Sequence, residues 1–305
     1  MSENEELYGN LETEEMSDRF SRLDTKDTET LLKIINDEDK IVPGVVEKAI
    51  PEIVGIVEEA VRRIGRGGRL IYVGAGTAGR LGVLDAAECI PTFNALPGTV
   101  VPVIAGGYNS IIQPTEGAED NLSLGAEEMD KIGVGKDDIV VGIVASGKAP
   151  YVIGALKRGR ELGAATGAIV NVSNPAIGKY CDYLVTLLVG PEVVAGSSRM
   201  KAGTSEKLVL NMISTSTFVR LGKVYDNLMI DLRPVNEKLK ERMINILRKI
   251  TGADHDSALS TLIKAEWDLK AAVIMVIHPM PAENAKKILL EYGGNLRNAL
   301  SSFKE

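Results

Sequence analysis

Five short apolar runs, at residues 70–73, 100–105, 138–144, 168–172 and 183–189, alternate along this chain with segments that read as helices. Runs this short, bounded by glycines and lacking a polar alternation, suit strands covered on both faces. Residues 117–132 and 151–162 carry helical patterns between them. Ahead of the first run, Ile50, Ile53, Val54, Val57, Val61 and Ile64 recur at helical spacing up to the glycine turn at 65–68. This alternation predicts an α/β fold: a doubly wound, five-stranded parallel sheet of flavodoxin-like type, with right-handed crossovers and ligands at the carboxyl ends of the strands. Residues 201–221 read as one long helix, and past Asn236 only helical patterns follow. The expected organisation is an acidic arm with an interface helix at 1–44, the sheet domain at 45–225 and an all-helical appendage at 226–305.

Charge is spread unevenly. The chain carries a net −7, but the first 40 residues hold 13 acids and 5 bases, so the remaining 265 are close to neutral. That balance leaves no basic footprint for nucleic acid, and 4% aromatic residues offer few platforms for stacking bases. No apolar run approaches the roughly 20 residues of a membrane-spanning helix, so no membrane partner is expected. The acidic start Met1-Ser2-Glu3-Asn4-Glu5-Glu6 has neither the basic nor the apolar stretch of a signal peptide and reads as cytoplasmic. Cys89 and Cys181 are too few for a disulfide framework and are expected to stay reduced.

Three polar loops stand at the ends of the apolar runs. Gly74-Ala75-Gly76-Thr77-Ala78-Gly79 fits the Gly-x-Gly-x-x-Gly pattern, whose glycines let backbone amides approach a phosphate at a helix start. A dinucleotide site also needs an acidic residue about 20 positions on, and here the second run ends in Ala105-Gly106-Gly107, which speaks against a nicotinamide or flavin. The second loop, Val144-Ala145-Ser146-Gly147-Lys148-Ala149-Pro150, repeats the design. In the third, Gly196-Ser197-Ser198-Arg199-Met200-Lys201, hydroxyls and two cations enter the long helix. Any one of these reads equally well as a helix cap. Three in one sheet favour a bound anion, with Gly76, Thr77, Ser146, Gly147, Ser197, Ser198 and Lys201 as its ligands.

Mononucleotide P-loop spacing is absent, and the two histidines, His255 and His278, both lie in the helical tail. A histidine triad or a histidine metal cluster is therefore not expected, and acid–base work falls to carboxylates, lysines or tyrosines. Glu88, in Leu84-Asp85-Ala86-Ala87-Glu88-Cys89-Ile90-Pro91-Thr92, has small and apolar neighbours near the end of the first crossover helix, a setting that favours a held proton. Glu119, in Glu116-Gly117-Ala118-Glu119-Asp120, opens the next crossover helix, where a carboxylate also complements the macrodipole.

Together these segments resemble the N-acetylmuramic acid 6-phosphate etherases, members of the sugar isomerase domain superfamily that also includes the glucokinase regulatory protein. The likeness runs nearly end to end. It passes through Asn36-Asp37-Glu38-Asp39, the stretch from Gly68 to Thr77, the stretch from Gly79 to Ala86, Glu116-Gly117-Ala118-Glu119-Asp120, Gly190-Pro191-Glu192-Val193, Ser198-Arg199-Met200-Lys201-Ala202-Gly203-Thr204 and Tyr225-Asp226-Asn227-Leu228-Met229. The resemblance implies elimination of D-lactate from C3 of the open-chain sugar phosphate, then addition of water, with no metal and no other cofactor. It gives Glu88 the role of protonating the departing ether oxygen and Glu119 that of removing the C2 proton. It also implies a homodimer with sites near the subunit boundary.

Departures from the family stand in the binding loops. Ala78 replaces the usual serine and Ala149 the usual threonine, while Ile90 stands for a proline and Lys148 for an arginine. A hydrogen bond to a charged phosphate contributes about 1.5–3 kcal/mol, so each missing hydroxyl is expected to lower affinity about tenfold or more. Two other readings stay open at this point: a catalytically silent sugar-phosphate sensor, as the regulatory protein resembles, and a sugar-phosphate isomerase that abstracts the C2 proton but releases no lactate.

Overall fold

The computed structural model describes residues 12–304, so the first eleven residues of the acidic arm lie outside the described residues. Strands β1 (Leu70–Gly74), β2 (Val100–Ile104), β3 (Ile139–Ile143), β4 (Ala165–Val170) and β5 (Tyr183–Thr186) form one parallel sheet in the order β2-β1-β3-β4-β5. Every residue of β1, β3 and β4 is buried, which is why β1 and β3 read as unbroken apolar runs. The doubly wound five-stranded sheet is the one expected from the sequence.

Two strand boundaries differ by three residues from the apolar runs, the others by no more than two. β4 begins at Ala165, because Ala165, Thr166 and Gly167 pair with Ile139, Val140 and Val141 although two of the three carry little apolar surface. β5 ends at Thr186, where its partner strand ends at Val170.

Helices α1 (Thr28–Asp39), α2 (Val42–Lys48) and α3 (Ile50–Ile64) precede the sheet; α4 (Gly76–Phe93), α5 (Leu122–Lys131) and α6 (Pro150–Glu161) link its strands, and α7 (Lys201–Arg220) follows. The segment before α5 is no regular helix. Ala118–Asp120 form a single 3-10 turn, and α5 starts only after Asn121, whose side chain accepts a hydrogen bond from Leu124 N–H at 3.0 Å. Glu119 therefore stands in a loop instead of capping α5.

The strand order decides where a ligand fits. β1 lies between β2 and β3, so the connections leaving β1 and β3 diverge and open a crevice at their carboxyl ends. At that point α4 must start hard against the strand it leaves. A Cβ on Gly79 would meet Gly74 O at 2.9 Å and Ile104 Cγ1 at 2.7 Å, so only glycine permits the approach. Farther along α4, the buried Asp85 carboxyl accepts hydrogen bonds from Tyr72 Oη (3.1 Å), Asn211 Nδ2 (2.8 Å) and Ser214 Oγ (3.1 Å), tying α4 to β1 and α7.

The chain divides into two compact units: residues up to Ala87 with Gly98–Ser214, and Glu88–Pro97 with Thr215–Glu305. The second unit holds α8 (Glu237–Thr251), α9 (His255–Lys264), α10 (Leu269–Ile277), α11 (Ala282–Glu291) and α12 (Leu296–Ser301) around Met243, Leu247, Leu262 and Ile274. Phe93 and Phe218 stack within it at 4.9 Å between ring centroids. Among the described residues no helix is long and apolar enough to cross a membrane.

Gly79→Ala should cost about 1–3 kcal/mol by overpacking, whereas Gly135→Ala, with nothing within 4 Å of the added carbon, should change stability by no more than about 0.5 kcal/mol. Urea midpoints of the two variants check this; equal midpoints would show that the strand–helix approach at Gly79 is not tight.

Candidate functional site

A cavity of about 320 Å³ opens at the crevice between the ends of β1 and β3. Its floor is Ile143 and Val144, the end of β3 and the residue after it. From the first loop come Ala75, Gly76, Thr77 and Ala78; from the second, Ala145, Ser146 and Ala149; from the third, Gly196 and Ser198. Glu119 reaches it from the 3-10 turn, and it also lines an adjoining cavity of about 200 Å³ with Arg80 and Ser110.

Two long helices begin at the edge of this space, α4 at Gly76 and α6 just after Ala149, and each directs the positive end of its dipole there. No side chain caps α6, but Pro150 carries no N–H and the Val152 and Ile153 amides both donate to Ala149 O at 3.1 Å, so this helix start offers its dipole more than free amides. Ser146 Oγ accepts a hydrogen bond from Lys148 N–H at 3.3 Å, which holds the second loop in a tight turn. Thr77, Ser146 and Ser198 are all half-buried, open enough to meet a small ligand. Hydroxyls, open helix starts and little apolar lining suit an anion carried on a polar body, as in a sugar phosphate.

Of the candidates read from sequence, Gly76, Thr77, Ser146, Ser198 and Glu119 are thus brought together, and four others are not. Gly147 is buried beneath the second loop, at φ +65°, where a Cβ would meet Pro175 Cβ at 2.5 Å; its role is to let the turn form. Ser197 does not line the cavity. Lys201 is 1% exposed, and its ammonium donates to Glu38 Oε2 at 2.7 Å, Glu38 also pairing with Arg19. This buried ion pair fastens α1 to the start of α7, so the Lys201 charge is spent on structure and not on a phosphate. Glu88 is exposed near the far end of α4 and does not line the cavity, so the apolar enclosure expected for it is absent.

Residues 52–160 match the family model of the glucokinase regulatory protein N-terminal SIS domain. The chain is 43% identical to N-acetylmuramic acid 6-phosphate etherase 1 of Bacillus licheniformis over 297 residues, 97% of this chain and 98% of that one. It is 46% identical to the N-acetylmuramic acid 6-phosphate etherase of Escherichia coli O81 over 288 residues (94% and 97%), and 46% identical to that of Caldanaerobacter subterraneus subsp. tengcongensis over 290 (95% of each). The chain belongs to the N-acetylmuramic acid 6-phosphate etherase family. Among solved structures, a phosphoheptose isomerase from Francisella tularensis shares the sheet-and-helix fold, with a TM-score of 0.50, 15% identity and coverage of 63% of this chain and 98% of that one.

Ala78 and Ala149, the two positions where the sequence reading expects a hydroxyl, both line the cavity. Three further lining residues escaped the sequence reading. Thr13 and Glu14 come from the N-terminal arm, which is held nearby by Glu12 accepting a hydrogen bond from Ser173 N–H at 3.1 Å. The third, Glu206 on α7, is 1% exposed and lies one turn from Ala202 and Val209 on the helix's buried face. Ala202, Ser205, Val209 and Ile213 are buried on that face, but exposed apolar residues such as Met212 and Val219 blur it in the sequence, so helical spacing gave little signal.

Burial, with the Glu192 carboxylate adding to it, pushes the Glu206 carboxyl up to about 8 from an ordinary 4.5. The folded protein thus keeps this proton between pH 4.5 and 8, where the unfolded chain has released it. The stability that goes with the protonated carboxyl is fully present below about pH 4.5 and is lost as pH rises toward about 8. Glu206→Gln, which cannot ionise, should escape this loss. Urea midpoints at pH 5 and pH 8 should show a wild-type deficit relative to the variant that widens at pH 8; a gap of the same size at both would mean that the carboxyl titrates normally.

Proposed function

We propose that this protein cleaves the D-lactyl ether of N-acetylmuramic acid 6-phosphate, giving N-acetylglucosamine 6-phosphate and D-lactate, and that it works as a cytoplasmic homodimer. The carrying observation is identity of 43–46% over nearly the whole chain with etherases of that name. In this reading the phosphate sits against the starts of α4 and α6, held by Gly76, Thr77, Ser146 and Ser198. The open-chain aldehyde acidifies the C2 proton. Glu119 takes that proton, the C3–O bond breaks with the ether oxygen protonated by Glu88, and a C2=C3 double bond forms. Water then adds at C3 to give the product sugar. An alkoxide leaves poorly, so a protonated carboxyl opposite an ionised one is the pairing the elimination requires.

Glu88 is exposed and is not among the residues that line its own chain's cavity. The reading therefore has Glu88 act in the cavity of the second subunit, with Glu119 acting in its own. Released D-lactate, measured on purified protein with N-acetylmuramic acid 6-phosphate, tests the activity; a protein that binds this sugar and frees no lactate at high enzyme concentration is a sensor instead. Glu88→Gln should lose lactate release but keep exchange of the C2 proton of N-acetylglucosamine 6-phosphate with deuterated water, and Glu119→Gln should lose both. Mixed after subunit exchange, the two inactive variants should recover about a quarter of wild-type activity, because half the dimers then carry one intact site of two. No recovery would place both glutamates' work within one chain.

Ala78→Ser and Ala149→Thr should each lower KM for N-acetylmuramic acid 6-phosphate by up to about tenfold, since each restores a hydroxyl at the cavity wall. A raised KM in both would point to a differently shaped sugar.

A further inference from the structure

A phosphate cavity is an unfavourable place for a buried carboxyl, yet Glu206 lines this one while 1% exposed. Its Oε1 is fully enclosed and accepts no hydrogen bond from the protein. An unpartnered polar atom at such a depth costs about 1–3 kcal/mol unless something else meets it. The obvious cation on the same helix, Lys201, is committed to Glu38.

We infer that Glu206 is a ligand-binding residue that donates a hydrogen bond from its neutral carboxyl to an oxygen of the sugar phosphate. The inference rests on the proposed function for the class of ligand and goes beyond it in assigning the residue.

The charges around Glu206 hold it neutral. Glu192, in the connection before α7, has its carboxylate fixed by Lys201 N–H at 3.0 Å and Ala202 N–H at 2.9 Å, and its charge opposes a second one beside it. Glu14 from the arm and Glu119 from the 3-10 turn border the same cavity. On α7 itself, the Lys201 ammonium is neutralised by Glu38. An ionised Glu206 would add to this set and repel a phosphate; the acid form instead offers one O–H to an oxygen-rich ligand. With its proton held up to about pH 8, Glu206 is a donor at neutral pH.

Calorimetric titration of the full chain with N-acetylglucosamine 6-phosphate at pH 7 and pH 9 tests this without requiring turnover. The second phosphate ionisation, near pH 6, lies below both conditions. Wild-type affinity should fall about tenfold between them, as the fraction of protonated Glu206 falls. Glu206→Gln, a permanent donor of the same shape, should bind equally well at both, and Glu206→Leu should bind about tenfold more weakly than wild type at pH 7. A wild type with no such fall, a Glu206→Gln variant that keeps the fall, or a Glu206→Leu variant that binds as wild type overturns the assignment. Wild-type binding with this pH dependence but without lactate release would defeat the etherase reading and leave Glu206's role standing; no wild-type binding at either pH would defeat both.

Discussion

Glu192 gives both carboxylate oxygens to the first two amides of α7, and much of the cavity follows from that one contact. It closes off a helix start that would otherwise attract an anion, so α7 presents side chains to the cavity while α4 and α6 present the positive ends of their dipoles. Fixing the first turn of α7 also fixes Glu206 on the next, and the charge of Glu192 helps keep the Glu206 proton in place. The same turn carries Lys201, whose buried bond to Glu38 ties α7 to α1. One short stretch, from Glu192 to Glu206, thus sets the wall of the site and its electrostatic character.

The sheet was legible because a strand covered on both faces has no choice but to be apolar, and β1 and β3 obey that rule at every position. Where side chains are small, the rule weakens: Ala165-Thr166-Gly167 is fully buried strand without an apolar run. Loop residues that directly follow a strand were legible for the same topological reason, since the strand order fixes the crevice. Thr77 and Ser146 belong to this group. Gly147 did not, because a positive φ in a buried turn and a phosphate-binding glycine leave the same mark in a sequence.

Contacts between distant positions were the part that could not be read. Lys201 looks like a phosphate ligand until Glu38, 163 residues earlier, is found against it. Thr13 and Glu14 follow from no local pattern, because the arm that carries them is placed by Glu12 and Ser173, 161 residues apart. Glu206 differs from these. The obstacle to reading it is local, since exposed apolar residues such as Met212 and Val219 blur the buried face of α7, but a buried acid is expensive enough to require a reason.

A carboxyl that binds a ligand and a carboxyl that turns over a proton need different surroundings. An acid that drives elimination must persist as a carboxylate between one protonation and the next, and it must regain its proton in every cycle. Glu206 is badly suited to this, since it is enclosed and stands beside the fixed negative charge of Glu192, so its ionised form is costly. Enclosure therefore suits Glu206 to holding a ligand oxygen and not to a proton transfer that must be repeated in every turnover.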